Sequence, residues 1–293
     1  MVVAGPVKIQ KRDMRRINVA KIKKAVEELC LKANFELRKD VLKALKTALN
    51  RETKSRAKVI LRMLIENAHL ARTNKIAICQ DTGMVFVRLE IGQDVRLVGG
   101  NLHKAVNDGV KDAYKRGYLR KSVVSNYMAR ENTRTNTPSI ITTDIVKGER
   151  VKIYVSPKGF GSENKSKIKM FRPTASIEEM KGFIVDVVKE AGPDACPPFI
   201  LGVGIGGTFE AAAGLAKRAL LRPIDQKNPN RHLARLEREL AKEINALGMG
   251  PMALGGKTTV LGVNILDYPT HIAGLPIAVN MSCHATRSAS KTL

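Results

Sequence analysis

A chain of 293 residues, 44% hydrophobic and 27% charged, has the balance of one large or two ordinary folded domains, which excludes disordered and fibrous classes. Its 51 Lys and Arg against 27 Asp and Glu leave a net charge of +24, so an acidic partner or substrate is expected; aromatics at 4%, with no tryptophan, poorly supply the stacking platforms of single-strand nucleic-acid binders. No run of about 18 apolar residues offers a membrane span, the start MVVAGPVKIQ lacks the basic flank and apolar core of a signal peptide, and four scattered cysteines make no disulfide scaffold, so the cytoplasm is the expected location.

From about Asn18 to Arg72 the apolar spacing is helical, with stripes at Ile22, Val26, Leu29 and Ala33, at Val41, Leu45 and Leu49, and at Val59 and Met63. Residues 1–74 are read as a helical N-terminal lobe and 75–293 as an α/β lobe, a mixed sheet flanked by helices. Cys30, inside the first helix, reads as a small buried apolar residue. The run 75–79 reads as a short strand ended by Cys79, and Val85, Val87, Leu89 and Ile91 alternate as the next. Between them Gln80-Asp81-Thr82-Gly83 puts polar side chains at a strand end, where open α/β sheets build sites, although a plain turn reads equally well. A helix over Leu102–Tyr118 leads to a polar stretch, 126–138, expected as an exposed loop. Strands at Ile140–Val146 and Val151–Val155 read as a hairpin, and GFGSENKSK (159–167) as an anion-holding or merely flexible loop.

Ser176-Ile177-Glu178-Glu179 fits a capping box and opens a helix to about Glu190. A strand at Phe199–Gly207 follows, then a helix to Ala219 with Thr208 as its cap. Gly202, Gly204 and Gly207 satisfy G-x-G-x-x-G, but no strand ending in an acid follows about 20 residues later, so nicotinamide binding is set aside. Leu233, Leu236, Leu240 and Ile244 mark another helix. Gly256-Lys257-Thr258 fails as a phosphate loop, because the first glycine would fall at Pro251 and a strand, Val260–Leu266, follows; a close-approach turn is expected there. Pro276–Met281 is a last strand, ending at Ser282-Cys283-His284. Cys79, Cys196 and Cys283 flank strand ends and are expected to converge on one face. Three convergent thiolates suggest an iron–sulfur cluster with one open iron able to act as a Lewis acid; three unrelated buried thiols remain the alternative.

The strings ICQDTG (78–83), ENTRTNTP (131–138), KGFGSENKSK (158–167), CPPFILGVGIGGT (196–208), GPMALGGKTT (250–259) and PTHIAGLPIAVNMSCHA (269–285) resemble those of the class I, iron–sulfur fumarases and the related L-tartrate dehydratases. The resemblance runs nearly the length of the chain. It implies a hydro-lyase in which Cys79, Cys196 and Cys283 hold a [4Fe–4S] cluster whose open iron binds a C4 dicarboxylate, fumarate/malate first and L-tartrate as the alternative. It further implies Gln80 and Asp81 as substrate contacts, Arg120 as a carboxylate-binding arginine, Gly161 as a backbone contact and His271 as a pocket histidine, with Asp81 and His271 the catalytic candidates. Gly159-Phe160-Gly161-Ser162 departs from the family's usual G-G-G-S at its second position. Single-chain members continue into a further domain, so the chain is similar to the α subunit of the two-subunit form, and an α2β2-type assembly with a site-completing β subunit is expected. A basic nucleic-acid-binding protein is the reading from another class.

Overall fold

The computed structural model describes residues 14–293, so the N-terminal stretch read as lacking a signal peptide lies outside it. Its first half contains β1 (Arg15–Asn18), α1 (Val19–Phe35), α2 (Lys39–Arg51), α3 (Ser55–Asn74), β2 (Met84–Gly92), β3 (Val95–Val98), α4 (Leu102–Arg116), β4 (Ile140–Val146) and β5 (Val151–Lys158). The second half contains α5 (Phe160–Glu163), β6 (Lys167–Phe171), α6 (Ile177–Ala191), β7 (Phe199–Gly206), α7 (Phe209–Ala219), α8 (Arg231–Ala246), β8 (Val260–Tyr268), β9 (Leu275–Ser282) and β10 (Ala289–Thr292). The chain is an α/β protein. A β1–β3 ribbon accompanies two mixed four-stranded sheets, ordered β10-β5-β2-β4 and β6-β9-β7-β8.

On the first sheet, the alternation of Val85, Val87, Leu89 and Ile91 faces Ile22, Val26 and Leu29 of α1 and Val106, Val110 and Tyr114 of α4. Cys30 is fully buried in this layer, as a small apolar residue should be. The helices up to residue 74 share their cores with the rest of the chain: α1 lies on the first sheet, while Val41 of α2 packs with Ile200 and Leu220 of the second half. In α3 the buried side is Leu61 and Leu64 against α2, then Ala68 and Ala71 against Ile78 and Ala285. Val59 and Met63 point outward, because α3 meets its neighbours on the adjacent stripe.

Two local expectations are corrected. Residues 75–79 form no strand: Lys75 turns left-handed at the end of α3, and Ile78 is held by single bonds, its N–H to Asn34 O at 2.9 Å and its carbonyl from Asn67 Nδ2 at 2.8 Å. β4 and β5 do not pair as a hairpin, since β2 lies between them, parallel to β4 and antiparallel to β5. The turn after β2 occupies the gap, with Gln93 N donating to Val146 O and Asp94 N to Gly148 O.

In the second sheet, α6 and α8 cover one face and α7 the other. The capping box at Ser176 and Glu179 forms in full, whereas the Thr208 side chain caps no N–H of α7. The glycines of G-x-G-x-x-G serve packing: a Cβ at Gly202 or Gly204 would stand 2.1 Å from the Ala216 or Ala212 carbonyl oxygen of α7. Backbone cannot yield as a flexible side chain does, so Gly202→Ala should lose about 3 kcal/mol of stability or more. Gly182→Ala, in α6 with nothing near its Cβ, should instead gain up to about 1 kcal/mol. Urea unfolding of the two variants checks this; equal effects would contradict it.

Candidate active site

Five segments meet at a cleft of about 660 Å³: the loop 79–84 before β2, the stretch 120–130 after α4, the turn 159–164 between β5 and β6, the end of a 3-10 turn at 194–196, and residues 283–287 after β9. Cys79, Cys196 and Cys283 all line it, together with Gln80, Asp81, Arg120 and Gly161. The topology explains the meeting. β7 begins just after Cys196 and antiparallel β9 ends just before Cys283, with Ile200 opposite Ser282, so the two cysteines share one end of the second sheet. His284 bridges them, its N–H donating to Cys196 O at 3.3 Å. Met252 N donates to Pro197 O at 2.8 Å, which ties the glycine-rich 250–256 turn under Cys196. Glu52 Oε2 in turn accepts from Lys257 N at 2.7 Å. The GGKT stretch is thus a structural latch.

Asp81 joins two walls. Its carboxylate accepts from Gly83 N at 3.0 Å and Phe160 N at 2.7 Å, and Gly83, at φ +76°, lets the loop lie against the Lys158 backbone, 2.6 Å from where a Cβ would stand. Gln80 Oε1 accepts from Arg120 Nη1 at 3.0 Å, and both side chains are exposed at the mouth. The stretch expected as an exposed loop conceals a clamp. Asn136 is fully buried; its Nδ2 donates to Gly83 O at 3.0 Å and its Oδ1 accepts from Ser122 N at 2.8 Å, joining the Asp81 and Arg120 segments.

His271 does not join this group. It lies between β8 and β9, at the end of the second sheet opposite the cysteines; eight residues of β9 at ~3.3 Å each put it about 25 Å away. Its Nδ1 accepts from Ala273 N at 3.1 Å in an exposed turn.

Sequence reasoning missed Arg130 at the mouth and two buried cations, Lys158 and Arg287. Lys158 falls within the quoted KGFGSENKSK string and Arg287 four residues after Cys283, but no periodicity marks either as buried. Burial pushes the Cys283 thiol up, opposed by Arg287 and Lys158; the Cys196 thiol is raised by burial, then by Cys283 and Cys79. Lys158 Nζ donates to Ser162 Oγ at 2.7 Å and pairs at 3.4 Å with Glu163, which also pairs with Lys217. Burial pushes the Lys158 ammonium from its ordinary 10.5 to about 8. The unfolded chain then binds more protons between those values, so this residue adds stability as pH rises from about 8 to 10.5. Parent minus Lys158→Met unfolding free energy should climb across that window; a fall would contradict the sign.

Residues 23–292 match the family model described as fumarate hydratase (Fumerase). The chain is 39% identical over 279 residues, 93% of its length and 98% of the relative's, to a Methanocaldococcus jannaschii protein with the provisional name L(+)-tartrate dehydratase subunit alpha. It is 33% identical over 252 residues, 85% of its length and 82% of the relative's, to the L(+)-tartrate dehydratase subunit alpha of Escherichia coli strain UTI89 / UPEC.

Proposed function

The chain belongs to the fumarate hydratase (Fumerase) family of hydro-lyases, and we propose that it is the α-type subunit of an iron–sulfur enzyme that removes water from, or adds it to, a C4 dicarboxylate. The observation that carries this is the convergence of Cys79, Cys196 and Cys283, from three distant segments, on one cleft with Gln80 and Arg120 at its mouth.

The residues present suit a [4Fe–4S] group. The donors are three thiols from separate segments, and Arg287, which also lines the cleft, has its buried Nε–H without an acceptor. Among the described residues no three His, Cys, Asp or Glu side chains are grouped so as to hold a single metal ion. When bound, such a cluster supplies a Lewis-acidic iron with an open position, able to polarise a substrate hydroxyl. The planar fork of Arg120, held by Gln80, suits one carboxylate of the diacid. Asp81, with its carboxylate engaged by two backbone N–H groups, acts by positioning the walls.

Between the two substrates, the relatives' names favour L-tartrate and the family description favours fumarate. We take L-tartrate first, because those relatives are matched over 98% and 82% of their own lengths. The word alpha in their names supports a β-type partner, for which we take an α2β2-type assembly. So do Tyr118, Tyr127 and Met128, which flank or fall within the stretch at the cleft mouth and are 95%, 85% and 76% exposed. No helix among the described residues is long and apolar enough to cross a membrane. Initial rates of the anaerobically reconstituted complex on L-tartrate and malate test the reading. We expect water loss with the higher kcat/KM for L-tartrate; an iron-loaded complex that turns over neither diacid would overturn it.

A further inference from the structure

Arg287 lines the cleft, and two further cations, Lys158 and Lys217, pair with Glu163 in the 159–164 segment that forms one wall. One carboxylate, Glu163, serves both lysines. Arg287 is 3% exposed and spends its terminal nitrogens on neutral acceptors, Nη1 on Asn34 Oδ1 at 3.2 Å and Nη2 on the Asp81 carbonyl at 2.8 Å. Its Nε is buried without a partner. The Asp81 carboxylate is already engaged by Gly83 N and Phe160 N. A guanidinium buried in this way is costly unless an anion completes it. Arg287 and Cys283 line the same cleft and belong to the same turn, where Thr286 Oγ1 donates to Cys283 O at 2.8 Å. The exposed arginines of the cleft, Arg120 and Arg130, stand at the mouth where a substrate enters. Arg287, 3% exposed, lines the same cleft as the three cysteines.

We propose that Arg287 is the anchoring cation of the thiol site: it balances the negative charge of the three cysteinates and the iron–sulfur group they carry, and its Nε–H donates to a sulfur of that assembly. The assignment rests on the iron–sulfur reading of the cleft. It makes Arg287 a positioning residue that touches no reacting atom of the substrate.

Two variants of the full chain, reconstituted anaerobically with iron and sulfide, test it. Arg287→Gln removes the charge while keeping an amide for Asn34 and the Asp81 carbonyl; Arg287→Lys keeps the charge but loses the directed Nε–H. Substitutions next to metal ligands commonly cost 10- to 100-fold in metal affinity, so Arg287→Gln should release iron to a chelator roughly 10- to 100-fold faster than the parent. Its midpoint potential, followed by electron paramagnetic resonance, should move negative, because reduction adds an electron where a positive charge is missing. The metal-free Arg287→Gln chain should melt no lower than the parent, since an uncompensated buried charge is gone. Arg287→Lys should hold the parent potential yet still release iron faster. If Arg287→Gln does not fold, Arg287→Lys decides alone, and iron release at the parent rate overturns the assignment. A lower melting temperature of the metal-free Arg287→Gln chain with parent-like release and potential marks a structural role only and also overturns it. A parent that takes up no iron overturns the iron–sulfur reading and this assignment together, whereas a loaded parent with unaffected variants overturns this assignment alone.

Discussion

Serine in place of Cys79, Cys196 or Cys283 is expected to abolish retention of the iron–sulfur group in each case, whereas Cys30→Ser is expected to keep it. The four thiols differ in where the fold puts them. Cys30 is buried between α1 and the first sheet, in the same apolar layer as Val85, Val87 and Val155, and burial pushes its thiol well above the ordinary range. A serine there leaves a hydroxyl in an apolar layer, at a cost of about 1–3 kcal/mol to stability. The other three line the same cleft, and Cys79 and Cys283 also pack on the same small cluster of Ala68, Ala71, Ile78 and Ala285. With three protein ligands, losing one leaves a two-point attachment that exchanges readily. The absorbance of the anaerobically reconstituted variants and their iron content decide the case. Retention without Cys196 but not without Cys30 would contradict the assignment.

The second large effect concerns the chain by itself. Loaded with its iron–sulfur group but without a partner, it should dehydrate malate or L-tartrate at least about a hundredfold, and up to about 10,000-fold, more slowly than the complex. Removing water from a 2-hydroxy diacid requires taking a weakly acidic carbon-bound proton, and positioned acid–base groups contribute a factor of that size. The cleft offers Arg120, Arg130 and Gln80 for binding, while its carboxylates and the nearby His284 already have partners. Both oxygens of Asp81 are engaged by backbone N–H groups, Asp194 pairs with Lys165 at 2.8 Å, and His284 is turned to the Cys196 carbonyl. His271, the remaining candidate, is at the far end of the second sheet. On the two-subunit reading proposed above, the base falls to a partner chain. The surplus charge of +24 suits an acidic partner surface, so association should slow as salt shortens the Debye length. Turnover of either diacid by the partner-free chain at ordinary enzymatic rates, about 1 to 1,000 per second, would show the site complete without it.

Much of this was legible in the residues because it is written in periodicity or local chemistry. The alternation at Val85–Ile91 identifies β2, Ser176 and Glu179 announce α6, and Cys196 and Cys283 sit beside strand ends that the topology gathers at one cleft, where the loop carrying Cys79 joins them. What was not legible depends on partners distant in sequence. The pairing of β2 between β4 and β5 follows from a turn filling the space between Val146 and Arg150, which no local spacing encodes. Residues 75–79 look like a strand in composition, but bonds from Asn34 and Asn67 replace a ladder. Gly202 and Gly204 imitate a dinucleotide fingerprint because close helix packing and close cofactor approach make the same demand for a missing Cβ. Asn136 shows the limit from the other side, since the run 132–138, with no apolar residue to bury, holds the most buried clamp of the cleft. His271 carried a motif but not a position; only the direction of β9 reveals that it and Cys283 stand at opposite ends.

The direct measurement is an iron and acid-labile sulfide count on the chain reconstituted under strict anaerobiosis. Three cysteines converging on one cleft predict iron and sulfide bound in the one-to-one ratio of a [4Fe–4S] group, and lost when any one of Cys79, Cys196 and Cys283 is replaced. A natively folded chain that takes up neither, beside a control protein that loads under the same conditions, would contradict it.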